Sequence, residues 1–521
     1  MGRMVVVGGE VQRRGLFGGN RTTPEWIGLA AAVVAAAVIV VAGGSHLVSL
    51  FFAAVLVLAG VILTTPNRFS GHRSLGALFL EAQHKAYRRR HDSLTFVPVK
   101  HRPTTRLVKA GRRNRDRADA DGMIEVPARY QDNVPLMVGT VRHFEVQTPD
   151  GPMVVFRHQG KITQPYYTVT VEVLGSSSAI REEQRQETGH VARGQYLARL
   201  ARRQSLVTHV QSLARSVPMD SADHLLWVKK RIPATGVPTI LLESYGALCE
   251  TVKSRSEQHR TYETFRIPSS AALSRRANAL GGGDEGIGQA IYQEVRSAMA
   301  QATMMGSVRA YRPLGARPMA ALLRHLQDPD FDIDDYQDAD LMDCWQYLDG
   351  AASALSLVVN GHWHVRTGYV PASAFSPQAI PVEALEAVIS GIQPAVVHSV
   401  SMVMELQDAR TARTTARTDV AMDRAKKKQV NESGVVTDGT DDVLLDASHQ
   451  RLLDLKPGSG HHGAAYALYI SFAVDHEDDI LSTTDIIEAA AADAGIDFID
   501  WMDHRHDLAL ITTMPFTRGI R

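Results

Sequence analysis

Two uncharged stretches decide how this chain reads: WIGLAAAVVAAAVIVVA, from Trp26 to Ala42, and LVSLFFAAVLVLAGVIL, from Leu47 to Leu63. Each approaches the roughly 17–25 apolar residues that cross the hydrocarbon core of a bilayer. Only Gly43-Gly44-Ser45-His46 separates them. So short a link predicts an antiparallel transmembrane hairpin with both outer ends on one side. A cleaved signal peptide fits poorly, because a second apolar run follows at once and basic residues continue beyond it.

Lysine and arginine set the orientation. The connecting turn has neither, whereas Arg3, Arg13, Arg14 and Arg21 precede the first run, and Arg68, Arg73, Lys85, Arg88, Arg89 and Arg90 follow the second. The expected placement is a multi-pass protein of the cytoplasmic membrane, with its N-terminus and C-terminal region both cytoplasmic. Trp26, Arg21, Arg68, Arg73, Arg88, Arg89 and Arg90 are the expected membrane-interface residues. Arg88 to Arg117 is rich in Arg, Lys, Pro and Thr, and anionic headgroups attract such a segment. Nucleic acid is the disfavoured alternative, since aromatic residues are not interleaved with the charges.

The 521 residues carry 56 basic and 56 acidic side chains and are 45% hydrophobic, ordinary values for globular mass behind an anchor. Cys249 and Cys344 are the two cysteines, which argues against a disulfide framework or a cysteine-based zinc site.

The chain divides into a tail over 1–25, the transmembrane hairpin over 26–65, a basic juxtamembrane connector over 66–134, an α+β domain over 135–428, a flexible loop over 429–442 and a C-terminal α+β portion over 443–521 that completes the same sheet region. Thr148-Pro149-Asp150-Gly151 is a turn between strands at Val141–Val146 and Met153–Arg157. Tyr166–Val173 alternates β-branched residues and predicts a strand. Arg181–Val217 reads as one long helix stopped by Pro218. Strands are expected at His224–Ile232, Thr261–Ile267, Ser307–Tyr311, His362–Tyr369, Val396–Leu406, Ala465–Val474, Ile496–Ile499 and Leu508–Thr513. Helices are expected at Ser244–Arg260, Gly286–Met305, Ala316–Leu326, Asp408–Lys428 and Thr483–Ala494. The alternation predicts α+β architecture, built of two-layer α/β sandwich units, behind an N-terminal two-helix transmembrane hairpin.

Chemistry-bearing motifs are sparse. GxxxxGK[ST] is absent, and Gly281-Gly282-Gly283 lacks the lysine that reaches phosphates. The aspartates from Asp328 to Asp343 fail as an EF-hand, because Ile333 stands where glycine is required. His362-Trp363-His364, His461-His462 and His504-Arg505-His506-Asp507 have no carboxylate at a recognised spacing. The expectation is no enzyme, no catalytic or metal residue and no cofactor.

The stretch Leu508 to Ile520, with Thr513-Met514-Pro515 before Arg518-Gly519, resembles the segment ending the amino-terminal domain of conjugative (type IV secretion) ATPases, where an apolar strand leads into "TLP" before the motor. Pro135 to Gly175, with its Pro149-Asp150-Gly151-Pro152 turn, resembles the opening β segment of that domain, and the stretch 181–217 followed by Trp227-Val228 fits the next step. The hairpin resembles the PrgI-like two-helix membrane subunit of Gram-positive conjugation systems, and the fused arrangement is similar to actinobacterial integral membrane proteins of conjugation-type secretion. The resemblance implies a non-catalytic structural subunit of a conjugation or type IV-like secretion apparatus, docking a separate motor ATPase. Its implied partners are membrane lipid, other apparatus subunits and a second copy of the chain. An EccE-like subunit of type VII secretion is the first alternative reading, and a membrane-tethered metal-dependent enzyme the second.

Overall fold

The computed structural model describes residues 4–5 and most of the chain from 23 to 519; the larger stretches it leaves undescribed are 6–22, 68–72, 87–93, 110–122, 128–132, 176–182, 219–226, 232–236, 376–379 and 434–439. Two apolar helices open the described chain, α1 (Thr23–Ala42) and α2 (Leu47–Thr64). They meet along small residues. Ala36, Ser49 and Ala53 are buried, and a Cβ on Gly60 would lie 2.7 Å from that of Ala32. Gly28, Ala32 and Ala36 repeat every fourth residue, the spacing that lets helix backbones approach closely. The contacts run antiparallel, with Gly28 near Thr64 and Gly43 near Ser49. The outward faces stay apolar: Val34, Val41, Leu47, Phe51 and Leu58 are all exposed. By length and composition only α2 is sufficient to cross a membrane, and the apolar part of α1, Ile27–Ala42, is shorter. Of the two helices expected to span, α2 alone among the described residues is long and apolar enough to do so, and the expected two-helix transmembrane hairpin is not established.

The rest is built on a single antiparallel sheet of thirteen strands. In chain order these are β1 (Thr95–Phe96), β2 (Thr140–Thr148), β3 (Gly151–Gln159), β4 (Tyr166–Leu174), β5 (His209–Pro218), β6 (Glu257–Pro268), β7 (Ala310–Pro313), β8 (Leu348–Asp349), β9 (Leu357–Val359), β10 (Trp363–Val370), β11 (His398–Gln407), β12 (Gly463–Val474) and β13 (Asp500–Trp501). The spatial order is β1-β8-β9-β10-β12-β11-β5-β6-β4-β3-β2, with β7 added beside β4 and β13 beside β10. Thr95–Phe96, from the stretch expected as connector, forms one edge. Residues 463–474, from the C-terminal portion, lie inside the sheet between β10 and β11. A further strand pair, Thr105–Lys109 with Met123–Pro127, also falls within the expected connector.

The longer helices beyond the hairpin are α3 (Glu183–Leu200), α4 (Thr239–Arg255), α5 (Ala271–Ala279), α6 (Gly283–Met304), α7 (Ala316–His325), α8 (Ala409–Ser433), α9 (Thr440–Asp454) and α10 (Asp479–Asp493). Alternation along the strands splits the core. Met153 and Val155 of β3 join Ile291, Val295 and Met299 of α6 in one cluster. Val154 and Phe156 join Met319, Leu322 and Leu323 of α7 in another. Successive side chains of a strand point to opposite faces, so these clusters lie on opposite sides of the sheet. A third cluster packs α10 under Leu468, Ile470 and Phe472 of β12.

Several sequence expectations are corrected. The single helix over Arg181–Val217 is a helix, α3, ending at Leu200, followed by strand β5. Pro218 ends that strand, not a helix. β5 is central, pairs with β6 and β11 along its length, and buries Val210, Gln211, Leu213 and Arg215. With both faces covered, it lacks the polar alternation that marks a half-buried strand. Leu508–Thr513 is not a strand but helical turns, His506–Ala509 and Leu510–Thr513. Arg260 belongs to β6 rather than to the preceding helix. Within His224–Ile232, the described residues Trp227, Val228, Lys230 and Arg231 are helical, and the remainder lies outside the described residues. The expected strand at Ile496–Ile499 is reduced to a bridge from Ile496 to Phe375. The flexible loop over 429–442 contracts, since α8 runs to Ser433 and α9 begins at Thr440.

Candidate functional site

Of the expected interface residues, Arg21, Arg68, Arg88, Arg89 and Arg90 lie outside the described residues; Trp26 falls in the first turns of α1, and Arg73 in a two-residue strand paired with Pro66–Asn67. The family-like segment is described through Gly519, and the centre of the sheet is built around it. Three adjacent strands each send it a polar side chain. Gln211 of β5 donates from Nε2 to the Met514 carbonyl at 2.8 Å and the Thr512 carbonyl at 3.3 Å, and its Oε1 accepts from the Thr517 amide at 2.7 Å. Ser401 of β11 donates to the Thr512 carbonyl at 2.8 Å. Ser471 of β12 donates to Thr513 Oγ1 at 3.1 Å. Gln211 is fully buried, so each of these bonds replaces one that water could not supply.

The segment then locks its apolar residues into the core. Met514 and Phe516 are fully buried, and Phe516 meets Phe156 edge-on at 5.3 Å between ring centres. Pro515, which offers no N–H, is buried where none is needed. Arg518 donates to the carbonyls of Met137 and Val138 and to the Tyr166 hydroxyl. It also reaches His158 Nδ1 at 3.2 Å. A guanidinium can only donate, so Nδ1 accepts and the His158 proton sits on Nε2, facing Thr168 Oγ1 at 2.8 Å. Burial, then the Arg518 and Arg266 charges, hold His158 well below the usual histidine range, consistent with that neutral ring. The Tyr469 hydroxyl closes the end of the segment on the Gly519 carbonyl. Gly519 takes φ 128°, a region that favours glycine.

Two histidine groups acquire carboxylate partners that spacing in sequence did not reveal. His506 Nε2 faces Asp503 Oδ1 at 3.2 Å, and its Nδ1 accepts from the Thr367 amide at 3.2 Å. The arrangement resembles the carboxylate–imidazole half of a hydrolytic triad. The backbone amide, however, occupies the nitrogen that would have to take a proton from a nucleophile. Arg366 completes this group, donating to Asp503 and to Thr484 Oγ1. Burial opposes ionisation of Asp503, but the His506 bond and the Arg366 charge outweigh it and hold the carboxyl below its usual range. The chemistry is that of a structural ion pair beneath β10.

The other group is Asp328, Asp330 and His362, whose ligand atoms lie within 4.8 Å of one another. His362 Nε2 is 3.2 Å from Asp330 Oδ2, which also accepts from Trp363 Nε1 at 3.0 Å. Asp328 accepts from Asn360 Nδ2 through Oδ2, and its buried Oδ1 has no protein partner among the described residues. Burial, then the Asp330 charge, push the Asp328 carboxyl up. A divalent cation would relieve that repulsion. His364 does not join, since it turns to Ser356.

At the centre of the sheet Arg215 is buried, donating from Nη1 to Ser399 Oγ at 3.1 Å. Burial brings it down to about 10, against a smaller opposing pull from Tyr262. His325 is driven down to about 3, by burial first and then by the Arg215 charge. Compared with protein-family models and with curated proteins, the chain finds no match.

Proposed function

We propose that this chain is a non-catalytic, membrane-anchored structural subunit of a conjugation or type IV-like secretion apparatus, and that its sheet docks a separate motor ATPase on the cytoplasmic side. The observation that carries the anchoring half is the exposed apolar surface of α1 and α2, with Val41 at 84% and Leu47 at 86% exposure beside an uncharged turn. Surface of that kind costs about 25 cal/mol per Å² in water and nothing in lipid. The small-residue seam between the helices is the packing that works where apolar surface alone gives no drive to associate.

The secretion half rests on the resemblance of Thr513-Met514-Pro515 and Arg518-Gly519 to the segment that precedes the motor in conjugative ATPases. In favour is the degree to which the sheet is committed to that segment. Against a close likeness stands the helical conformation of Leu510–Thr513 where the resemblance expects a strand. Purification of the full chain in mild detergent from its native host should co-recover an ATPase and other membrane subunits. Recovery alone, with secretion intact after deletion, would overturn the reading.

A second reading, a membrane-tethered metal-dependent enzyme, has the Asp328–Asp330–His362 group in its favour. Stoichiometric metal in the purified chain, lost in the variant D330N, would support it. Metal-free protein that binds none on titration would remove that support.

A further inference from the structure

The connection between β5 and β6 carries a helix that the fold leaves uncovered. α4 spans 17 residues, yet among its described side chains, up to Cys249, none belongs to a hydrophobic cluster of the core. Ile240, Leu241 and Leu248 are 73%, 59% and 56% exposed. Leu241 and Leu248 stand seven residues apart and share a face; Glu243, two residues from Leu241, falls about 200° around the helix on the opposite side. A lone helix of this length is marginal in water, where amphipathic helices draw their stability from a surface that takes the apolar face. What precedes α4 indicates which surface. Trp227, Lys230 and Arg231 are exposed, and the Arg231 guanidinium stacks over the Trp227 ring at 4.6 Å. A tryptophan beside cations, followed by an amphipathic helix, fits the headgroup layer of an anionic membrane.

We propose that α4 lies flat in the cytoplasmic leaflet of the membrane that holds α2, with Leu241 and Leu248 toward the acyl chains and Lys230 and Arg231 on anionic headgroups. This rests on the anchoring reading above. It gives the sheet a second attachment, at the end of its central β5–β6 hairpin, so that the sheet is held against the bilayer and does not hang from a single tether.

The test uses the full chain in nanodiscs of phosphatidylcholine with a minority of phosphatidylglycerol. Nitroxide labels go singly at L248C, E243C and L58C, each in a C249S background. Cys344, 2% exposed, stays unlabelled. Collision with oxygen reports lipid, and collision with a water-soluble nickel chelate reports water. The expected result is an oxygen-to-nickel ratio at L248C several-fold above that at E243C, collapsing in pure phosphatidylcholine, with L58C lipid-like throughout. Equal nickel access at L248C and E243C, with L58C still lipid-like, would overturn the surface helix and leave the anchor standing. Spin–spin broadening at L248C would show a second copy covering the face, and would overturn it too. Protection of L248C from both reagents, unchanged in pure phosphatidylcholine, would place the face against protein and have the same effect. Nickel access at L58C would overturn the anchoring reading itself.

Discussion

Replacing Gln211 by methionine removes the amide that ties β5 to the C-terminal segment while keeping the side chain's length. Not every lost bond leaves a gap. The Thr512 carbonyl keeps Ser401, and the Met514 carbonyl keeps the Phe516 amide at 2.8 Å. The Thr517 amide loses Gln211 Oε1, the acceptor it meets at 2.7 Å. Orphaning one buried donor costs about 1–3 kcal/mol, and the net loss of a hydrogen bond adds about 1 more. The expected local destabilisation is therefore about 2–4 kcal/mol, which speeds exchange of amides in 512–519 by roughly thirty- to several-hundred-fold at 1.4 kcal/mol per decade. Hydrogen-exchange mass spectrometry of the full chain in detergent reads this directly, with peptides from α6 as an internal reference. Unchanged exchange over 512–519 would refute the account of Gln211 as the clamp.

F516A empties a fully buried aromatic site against Phe156 and should cost about 3–5 kcal/mol in a urea titration. Stability should also fall with acid. His325 titrates near 3 in the fold and near 6.5 when unfolded, so below about pH 6.5 the unfolded chain binds the extra proton. The His325 contribution is full above that point and drops by about 1.4 kcal/mol per pH unit below it, about 2 kcal/mol by about pH 5, with lowered histidines such as His158 adding to the total slope. H325N should flatten that part of the urea-midpoint profile, and an unchanged slope would count against the burial argument. G60L drives a side chain into Ala32; it should separate α1 from α2 at a cost of about 1–3 kcal/mol, read as lost cross-linking between cysteines engineered at the facing positions 28 and 64.

The elements that were legible carried their own local signals. The β2–β3 hairpin followed from Pro149 and Gly151, whose φ of 113° the turn requires. β4 followed from its β-branched run. The failures share one cause. β5 is covered on both faces and interrupts its apolar residues with Gln211 and Arg215, so its period could be taken for a helix. The segment 508–513 is apolar because it is buried between other elements, and burial alone does not distinguish a strand from helical turns. The partners of His506 and His362 were invisible for another reason. Asp503 sits three residues before His506 and Asp330 thirty-two residues before His362, in loops whose course only the folded sheet determines. Gln211 gave no signal at all, since a glutamine in an apolar stretch acquires its meaning from backbone groups about 300 residues away.

The position of β12 has a consequence for biosynthesis. β5 has β6 as a neighbour within some forty residues, but its other neighbour, β11, begins only at His398, and β12 only at Gly463. At roughly 5–20 residues per second, the ribosome needs on the order of ten to forty seconds to reach β11 after β5 has emerged. It needs roughly five to twenty seconds more for the residues that seat against Gln211, more than a hundred positions further on. During that interval α2 has already left the ribosome, while the far edge of β5 still offers an open row of backbone donors and acceptors. On the anchoring reading proposed above, delivery to the bilayer precedes completion of the sheet, and the nascent chain faces its greatest risk of edge-to-edge pairing with neighbouring copies when it is already confined to the membrane surface.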